Sequence, residues 1–218
     1  MNELIIKKVN VTNQSSWDEI IKSLESTSWN PINIVNWAEE FNYCPNVQFR
    51  MAYCNSAFLL QYQVEEQSVR AIANSDNGEV WKDSCVEFFV SPDNGETYYN
   101  FEFNCAGICH LATGASRNNR KAAPLETIAQ IKRLPSLGNQ PFEEREGNIK
   151  WDIVLMIPFT CLFKHPNYYP AGKTISANFY KCGDELTKPH FLSWNPVKTD
   201  NPDFHRPEFF GILKFEQE

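Results

Sequence analysis

An all-β sandwich is the fold this sequence predicts, and three observations predict it. Aromatic residues make up 14% of the chain, and 9 Gly and 13 Pro interrupt it at frequent intervals. Short apolar stretches alternate with period two, which sends successive side chains to opposite faces of a strand. Only one stretch carries a clear helical repeat. At 218 residues the chain suits one large all-β domain spanning residues 1–218, able to bury a core without staples. No internal repeat, low-complexity tract or second-domain linker is visible.

The elements follow in order. Leu4 to Val11 is apolar and β-branched enough for a first strand. Ser16 followed three residues later by Glu19 forms a capping box. Trp17, Ile20, Ile21 and Leu24 then recur at helical spacing, so a short helix ends near Ser26, placed at one end of the sandwich. Residues 29–42 read as irregular, with Ile32, Ile34 and Trp37 pinning them to the body. Val47, Phe49, Met51 and Tyr53 alternate, as do Phe58, Leu60, Tyr62 and Val64, with a tight connection between them. Residues 65–80 are polar and read as a long loop delivering Trp81.

The chain is organised around Trp81 to Asn104, which reads as a β-hairpin. Val86, Phe88 and Val90 share one face of its first strand, and Tyr99, Phe101 and Phe103 share one face of its second. Pro92, Asp93, Asn94 and Gly95 supply the turn. The opposite face carries Glu87, Asn100, Glu102 and Asn104, with Trp81 at its rim. These are short groups with fixed hydrogen-bonding atoms, unlike the Lys and Thr of an ordinary solvated face.

Beyond the hairpin, Gly107 and Gly114 mark bends, and Arg117, Arg120, Lys121 and Arg133 form a locally basic patch. Leu125, Ile128, Ile131 and Leu134 dock as a mixed helical or extended segment. Pro135 to Gly147 reads as loop. Ile149, Trp151, Ile153, Leu155 and Ile157 form a core strand, Pro158 to Phe163 a helical turn, and Ile175 to Cys182 another strand. Trp194 precedes a Pro-rich loop, and Phe209 to Phe215 closes the chain.

Composition narrows the function classes. The net charge is −7 and the 20 Lys and Arg are dispersed, which argues against nucleic acid or an anionic membrane as partner. The N-terminus has no apolar run of signal-peptide length, and no segment is long enough to span a bilayer. Seven cysteines without an export signal are expected as free, buried thiols in a reducing compartment, so the expected location is cytoplasmic. The Cys-x3-Cys-His run at Cys105, Cys109 and His110 has poor zinc spacing.

Three blocks carry a resemblance: Trp81-x-Asp-Ser-x-Val-Glu87-Phe-Phe-Val, Tyr98-Tyr-Asn-Phe-Glu-Phe-Asn104, and Phe204-His-Arg-Pro-Glu-Phe-Phe-Gly211-Ile-Leu. Through them the chain resembles the family 9 carbohydrate-binding modules from about Pro31 to Phe215, and more narrowly their stand-alone Bacteroidetes form. The resemblance implies a β-sandwich related to the DOMON domains. It also implies a clamp in which two tryptophans sandwich a terminal sugar while a carboxylate, amides and an arginine reach its hydroxyls. By motif Trp81 matches the first tryptophan and Glu87 the carboxylate. Trp194 is the candidate for the second tryptophan, from its place before the last strand. Glu102 and Asn104 are further candidate contacts, and the arginine is Arg117 or Arg120. The implied ligand is the end of a xylo- or gluco-oligosaccharide. No cofactor is expected. Structural calcium occurs in xylanase-attached members, but no clear calcium loop is present here.

The chemistry of a pyranose fits such a clamp independently. Aromatic rings bury its C–H faces at little entropic cost, and Glu, Asn and Arg bond its hydroxyl rim with charge-assisted strength. Three competing readings remain open at this point. Glu87 and Glu102 could serve as the carboxyl pair of a xylanase-type glycoside hydrolase. A DOMON relationship raises haem ligation through His and Met, although Met51 and Met156 both fall in expected core strands. A sandwich with a decayed sugar site would serve protein interaction.

Overall fold

The computed structural model describes residues 1–93 and 96–217. The expected turn residues Asn94 and Gly95 lie outside them. In chain order the strands are β1 (Glu3–Lys8), β2 (Asn30–Pro31), β3 (Ile34–Val35), β4 (Asn46–Tyr53), β5 (Ala57–Ala71), β6 (Cys85–Ser91) and β7 (Tyr98–Asn104). They continue as β8 (Cys109–Gly114), β9 (Lys121–Ala122), β10 (Lys132–Pro135), β11 (Phe142–Pro158), β12 (Thr174–Cys182), β13 (Phe191–Ser193) and β14 (Gly211–Phe215). Helix α1 spans Trp17–Leu24 and α2 spans Leu125–Ile128. No helix among the described residues is long and apolar enough to cross a membrane.

The strands form two packed layers of one curled, mixed assembly. The first layer runs β9-β8-β7-β6-β12-β14-β1 and the second β1-β4-β5-β11-β10. Strand β1 joins them: Glu3 to Ile6 pair with β14, and Lys7 and Lys8 pair with β4, both in parallel. The core between the layers is where the alternation predicts it. Val86, Phe88 and Val90 of β6 and Tyr99, Phe101 and Phe103 of β7 are fully buried. Phe49 of the second layer stacks on Phe179 of the first at 3.7 Å between centroids, and Phe88 meets Phe58 edge-on at 5.7 Å. Buried aromatics of this size each contribute about 2–3 kcal/mol of transfer free energy.

The capping box of α1 is formed: Ser16 Oγ accepts from the Glu19 amide, and the Glu19 carboxylate accepts from the Ser16 amide. The helix covers the outer face of the second layer rather than one end of the sandwich. Ile20 and Leu24 pack on Ala52, Leu59, Val154 and Met156. Strands β4, β5 and β11 are therefore buried on both faces, which explains why their sequences run apolar instead of strictly alternating.

Two stretches expected to be loops are strand. Strand β5 continues through the polar residues 65–71, and β11 begins at Phe142, the two pairing antiparallel along almost their whole length with register shifts between Phe142 and Arg145 and between Glu146 and Ile149. These ends carry mostly polar side chains, the buried Glu66 and Ser68 among them, so no hydrophobic alternation announces them, while backbone pairing still extends.

Candidate functional site

The outer face of the first layer is concave and polar at its centre. In-register pairing places Tyr180 of β12, Glu87 of β6, Glu102 of β7 and His110 of β8 in one row across four strands. Side chains on that row face away from the core, because their sequence neighbours face into it. Loops from four directions raise walls around the row and enclose a cleft of about 310 Å³, at the lower end of small-molecule sites.

Each wall has a local cause. Trp81 sits in a 3-10 turn over Val80–Lys82. The buried Asp83 carboxylate fixes the end of that turn by accepting from the amides of Ile72 and Ala73 (2.9 and 3.0 Å) and from Asn104 Nδ2 (2.9 Å). The Trp81 ring then meets His110 edge-on at 5.4 Å. A second wall is the loop before the last strand: Phe204 stacks on Tyr180 at 4.1 Å, and His205 Nδ1 lies 2.9 Å from the Tyr98 hydroxyl. The loop after β8 folds Arg120 over the Tyr98 ring at 4.1 Å, where its guanidinium donates to Asn100 Oδ1. Asn100 Nδ2 in turn donates to Glu102 Oε1 at 2.8 Å. Asp184 enters beside Trp81, its amide donating to the Trp81 carbonyl at 3.1 Å.

The hydrogen-bond inventory of the floor is incomplete. Glu87 Oε1 accepts a thiol hydrogen bond from Cys182 at 3.2 Å, but Glu87 Oε2 has no partner. Glu102 Oε2, His110 Nδ1 and Asp184 Oδ1 are likewise buried and unpartnered. The four residues that carry these atoms line one cleft. Elsewhere, unpartnered Glu66 Oε2 and Arg70 Nε still sit within ion-pair distance of Lys181 and Asp83. A buried polar atom without a partner costs about 1–3 kcal/mol, so the concentration of such atoms in the cleft marks where a polar ligand would be accommodated.

Burial sets the charge state of the floor. It raises Glu87 well above the ordinary carboxyl range, helped by the adjacent Glu102. Burial also raises Glu102, to about 7, and Asp184, to about 6. His205 is pushed down to about 3 by burial and by Arg120 and Arg117, and burial lowers His110 as well, so both imidazoles are neutral near pH 7.

The structure brings Trp81, Glu87, Glu102, Arg117 and Arg120 together around the cleft. It does not bring Trp194 or Asn104 there. Trp194 lies in the core between the layers, edge-on to Phe49 (6.0 Å) and Phe179 (5.6 Å). The reason is the alternation of the segment it ends: Leu192 and Trp194 point inward while Phe191 reaches the cleft. Gly211 is bound up with this placement, since a Cβ there would come within 2.5 Å of the Trp194 ring. Asn104 is a brace. Besides holding Asp83, its Oδ1 accepts from the amides of Ala106 and Ile108, shaping the turn in which Gly107 has φ +83°.

Sequence reasoning did not place Phe191, Phe204, Asp184, Asp203 or His110 at the site. The block Phe204-His-Arg-Pro held a usable signal, because it follows a loop and precedes the last strand. The others arrive from distant loops with nothing in the sequence to link them. Met51 and Met156 lie on opposite faces of the second layer and neither reaches the cleft.

Comparison with known proteins agrees with this architecture. The description Carbohydrate-binding family 9 matches residues 16–215. The chain belongs to carbohydrate-binding family 9. It is similar to a candidate carbohydrate-binding protein from Bacteroides uniformis, with 45% identity, 98% of this chain and 99% of that one covered, and a TM-score of 0.94. Its fold is also that of a family 9 module from Caldicellulosiruptor kristjanssonii. The cellotriose complex of that module gives a TM-score of 0.61 at 11% identity, covering 100% of this chain and 95% of that one. The glucose complex gives 0.60 at 12% identity, covering 100% and 97%. No curated protein matches.

Among the described residues, Cys85, Glu87 and Cys182 are the one group of three potential metal-ligating side chains whose ligand atoms lie within 4.8 Å of one another. Two thiols and one carboxylate do not suit calcium, which takes six to eight oxygens. Burial also raises the Cys85 thiol to about 12. All seven cysteines are free, and only Cys44 is exposed.

Proposed function

We propose that this family 9 protein binds carbohydrate without transforming it, holding one sugar ring at the end of a gluco- or xylo-oligosaccharide in the cleft between Trp81 and the Phe191–Phe204 side. The observation that carries this reading is the set of four buried, unpartnered polar atoms beneath an aromatic rim. A pyranose supplies what such a site lacks: hydroxyls that both donate and accept for the floor, and C–H faces for the rings. Glu87 and Glu102 are the principal hydroxyl partners, and Arg120 sets the floor by holding Asn100. The structural neighbours carrying cellotriose and glucose support the same chemistry. One ring held this way reaches mM to μM affinity, about −4 to −8 kcal/mol.

Isothermal titration with glucose, xylose, galactose, cellobiose and xylobiose, repeated on Trp81→Ala, tests the reading. Saturable binding in the wild type that weakens at least tenfold in the variant is the expected result. A flat response to every sugar would overturn it and leave Trp81 and Glu87 as parts of a protein-binding face. Reducing-sugar release from the oligosaccharides in the same samples would point instead to the two carboxyls acting as a hydrolase pair.

A further inference from the structure

The cleft is rich in carboxyl groups and poor in available cations. Glu87, Glu102, Asp184 and Asp203 all line it, against Arg117 and Arg120. Arg120 is already committed. Its Nε and Nη2 donate to Asn100 Oδ1, its Nη1 to the Ser116 carbonyl, and its Nη2 also lies within reach of the Tyr98 and Ala112 carbonyls. Arg117 is 63% exposed at the rim, 3.6 Å from Asp203. Lys181, behind the floor, is held by Glu66 and His190 in the core. The atoms left unpartnered on the carboxyl groups are all acceptors when ionised: Glu87 Oε2, Glu102 Oε2 and Asp184 Oδ1.

A neutral sugar can donate hydroxyl hydrogens to these oxygens but brings no charge to compensate their ionisation, which burial opposes. An ammonium group supplies three donors and the charge, and buried carboxylates are stabilised chiefly by such pairing. Trp81 at the rim adds a face that attracts cations. We infer that the cleft prefers a sugar bearing a free amine, bound as its ammonium ion at the Glu87–Glu102 pair of this carboxyl-lined cleft, over the corresponding neutral sugar. This inference rests on the carbohydrate-binding reading and names the class of sugar.

Glucose, 2-amino-2-deoxyglucose and its N-acetyl derivative, titrated calorimetrically near neutral pH, separate the two. The amino sugar should bind about tenfold or more tighter than glucose. The N-acetyl sugar, which is neutral and bulkier, should show no such gain. In Glu102→Gln the ratio of amino-sugar to glucose affinity should fall toward one, with a thermal melt confirming that the variant is folded. Asp184→Asn, on a loop, provides the same readout if Glu102→Gln fails to fold. Glucose binding as tightly as the amino sugar would overturn the amine preference while leaving carbohydrate binding intact. Failure of these three sugars and of the neutral oligosaccharides alike would overturn both.

Discussion

Glu87 and Glu102 stand directly opposite each other on adjacent antiparallel strands, 3% and 4% exposed, each with one carboxyl oxygen lacking a partner. Side chains paired this way have Cβ atoms about 4.5–5.5 Å apart, so two like charges on them repel strongly. A sheet optimised for stability alone would put apolar or oppositely charged residues at these two positions. The pair carries a cost, and both residues line the cleft walled by Trp81.

On the proposed reading, Trp81 should matter more to binding than to the fold. It is half-buried, meets His110 edge-on and packs at the border of the apolar cluster that includes Val80, Phe89 and Tyr180. Trp81→Ala should weaken sugar binding about tenfold to a hundredfold, the equivalent of 1.4–2.8 kcal/mol. Its denaturation midpoint should move little. Parallel calorimetry and urea melts measure both, and a variant that unfolds readily but binds normally when folded would contradict this assignment.

Trp194 should behave in the opposite way. It is buried between Phe49 and Phe179 and fills the space over Gly211. Trp194→Ala removes a large core side chain and should cost about 3–5 kcal/mol of stability. The fraction that stays folded should bind sugar with an affinity near that of the wild type. A selective loss of binding with no loss of stability would return Trp194 to the site.

These two tryptophans show what the sequence made legible. The hairpin was readable because Val86, Phe88 and Val90 alternate against Glu87, and a period of two fixes which face enters the core. Glu87 and Glu102 followed from that face. Trp194 did not, because a tryptophan before a Pro-rich loop looks the same in a core as on a wall. Only the inward pairing of Leu192 and Trp194 distinguishes them, and it depends on the pairing of β13 with β12. The polar halves of β5 and β11 look like loops in the sequence for a related reason: backbone pairing, unlike packing, leaves no hydrophobic pattern. Asp184 and Phe191 join the site by loop closure, which spacing along the chain does not encode.

Asn104 acts on the site through Asp83 and the Trp81 turn. Asn104→Ala removes the 2.9 Å bond to the Asp83 carboxylate and two acceptor contacts to the amides of Ala106 and Ile108. Stability should drop by about 1–3 kcal/mol because buried partners are left unmade. Sugar affinity should fall less than in Trp81→Ala, since no ligand contact is lost. Tryptophan fluorescence of the ligand-free variant should shift as the Trp81 turn loosens. An unchanged spectrum and melt would show that the brace is dispensable.

The carboxyl pair also sets the pH dependence of stability. In the unfolded chain both groups ionise near 4.5, whereas in the folded protein burial raises Glu102 to about 7 and pushes Glu87 in the same direction. Between these values the folded state holds more protons than the unfolded state, so stability falls as pH rises through the interval. Asp76 has the opposite sign: bonds from Arg133 and the Cys109 amide outweigh its burial and lower its pKa, so its contribution is lost only as the solution becomes acidic. Glu102→Gln keeps the shape of the side chain and removes its titration. The variant should therefore match the wild type near pH 4.5 and exceed it at pH 8 by on the order of 2 kcal/mol. Urea midpoints measured across that range test the claim. Wild-type stability that rises with pH, or a variant no more stable than the wild type at pH 8, would mean that the floor already holds its charge without a ligand.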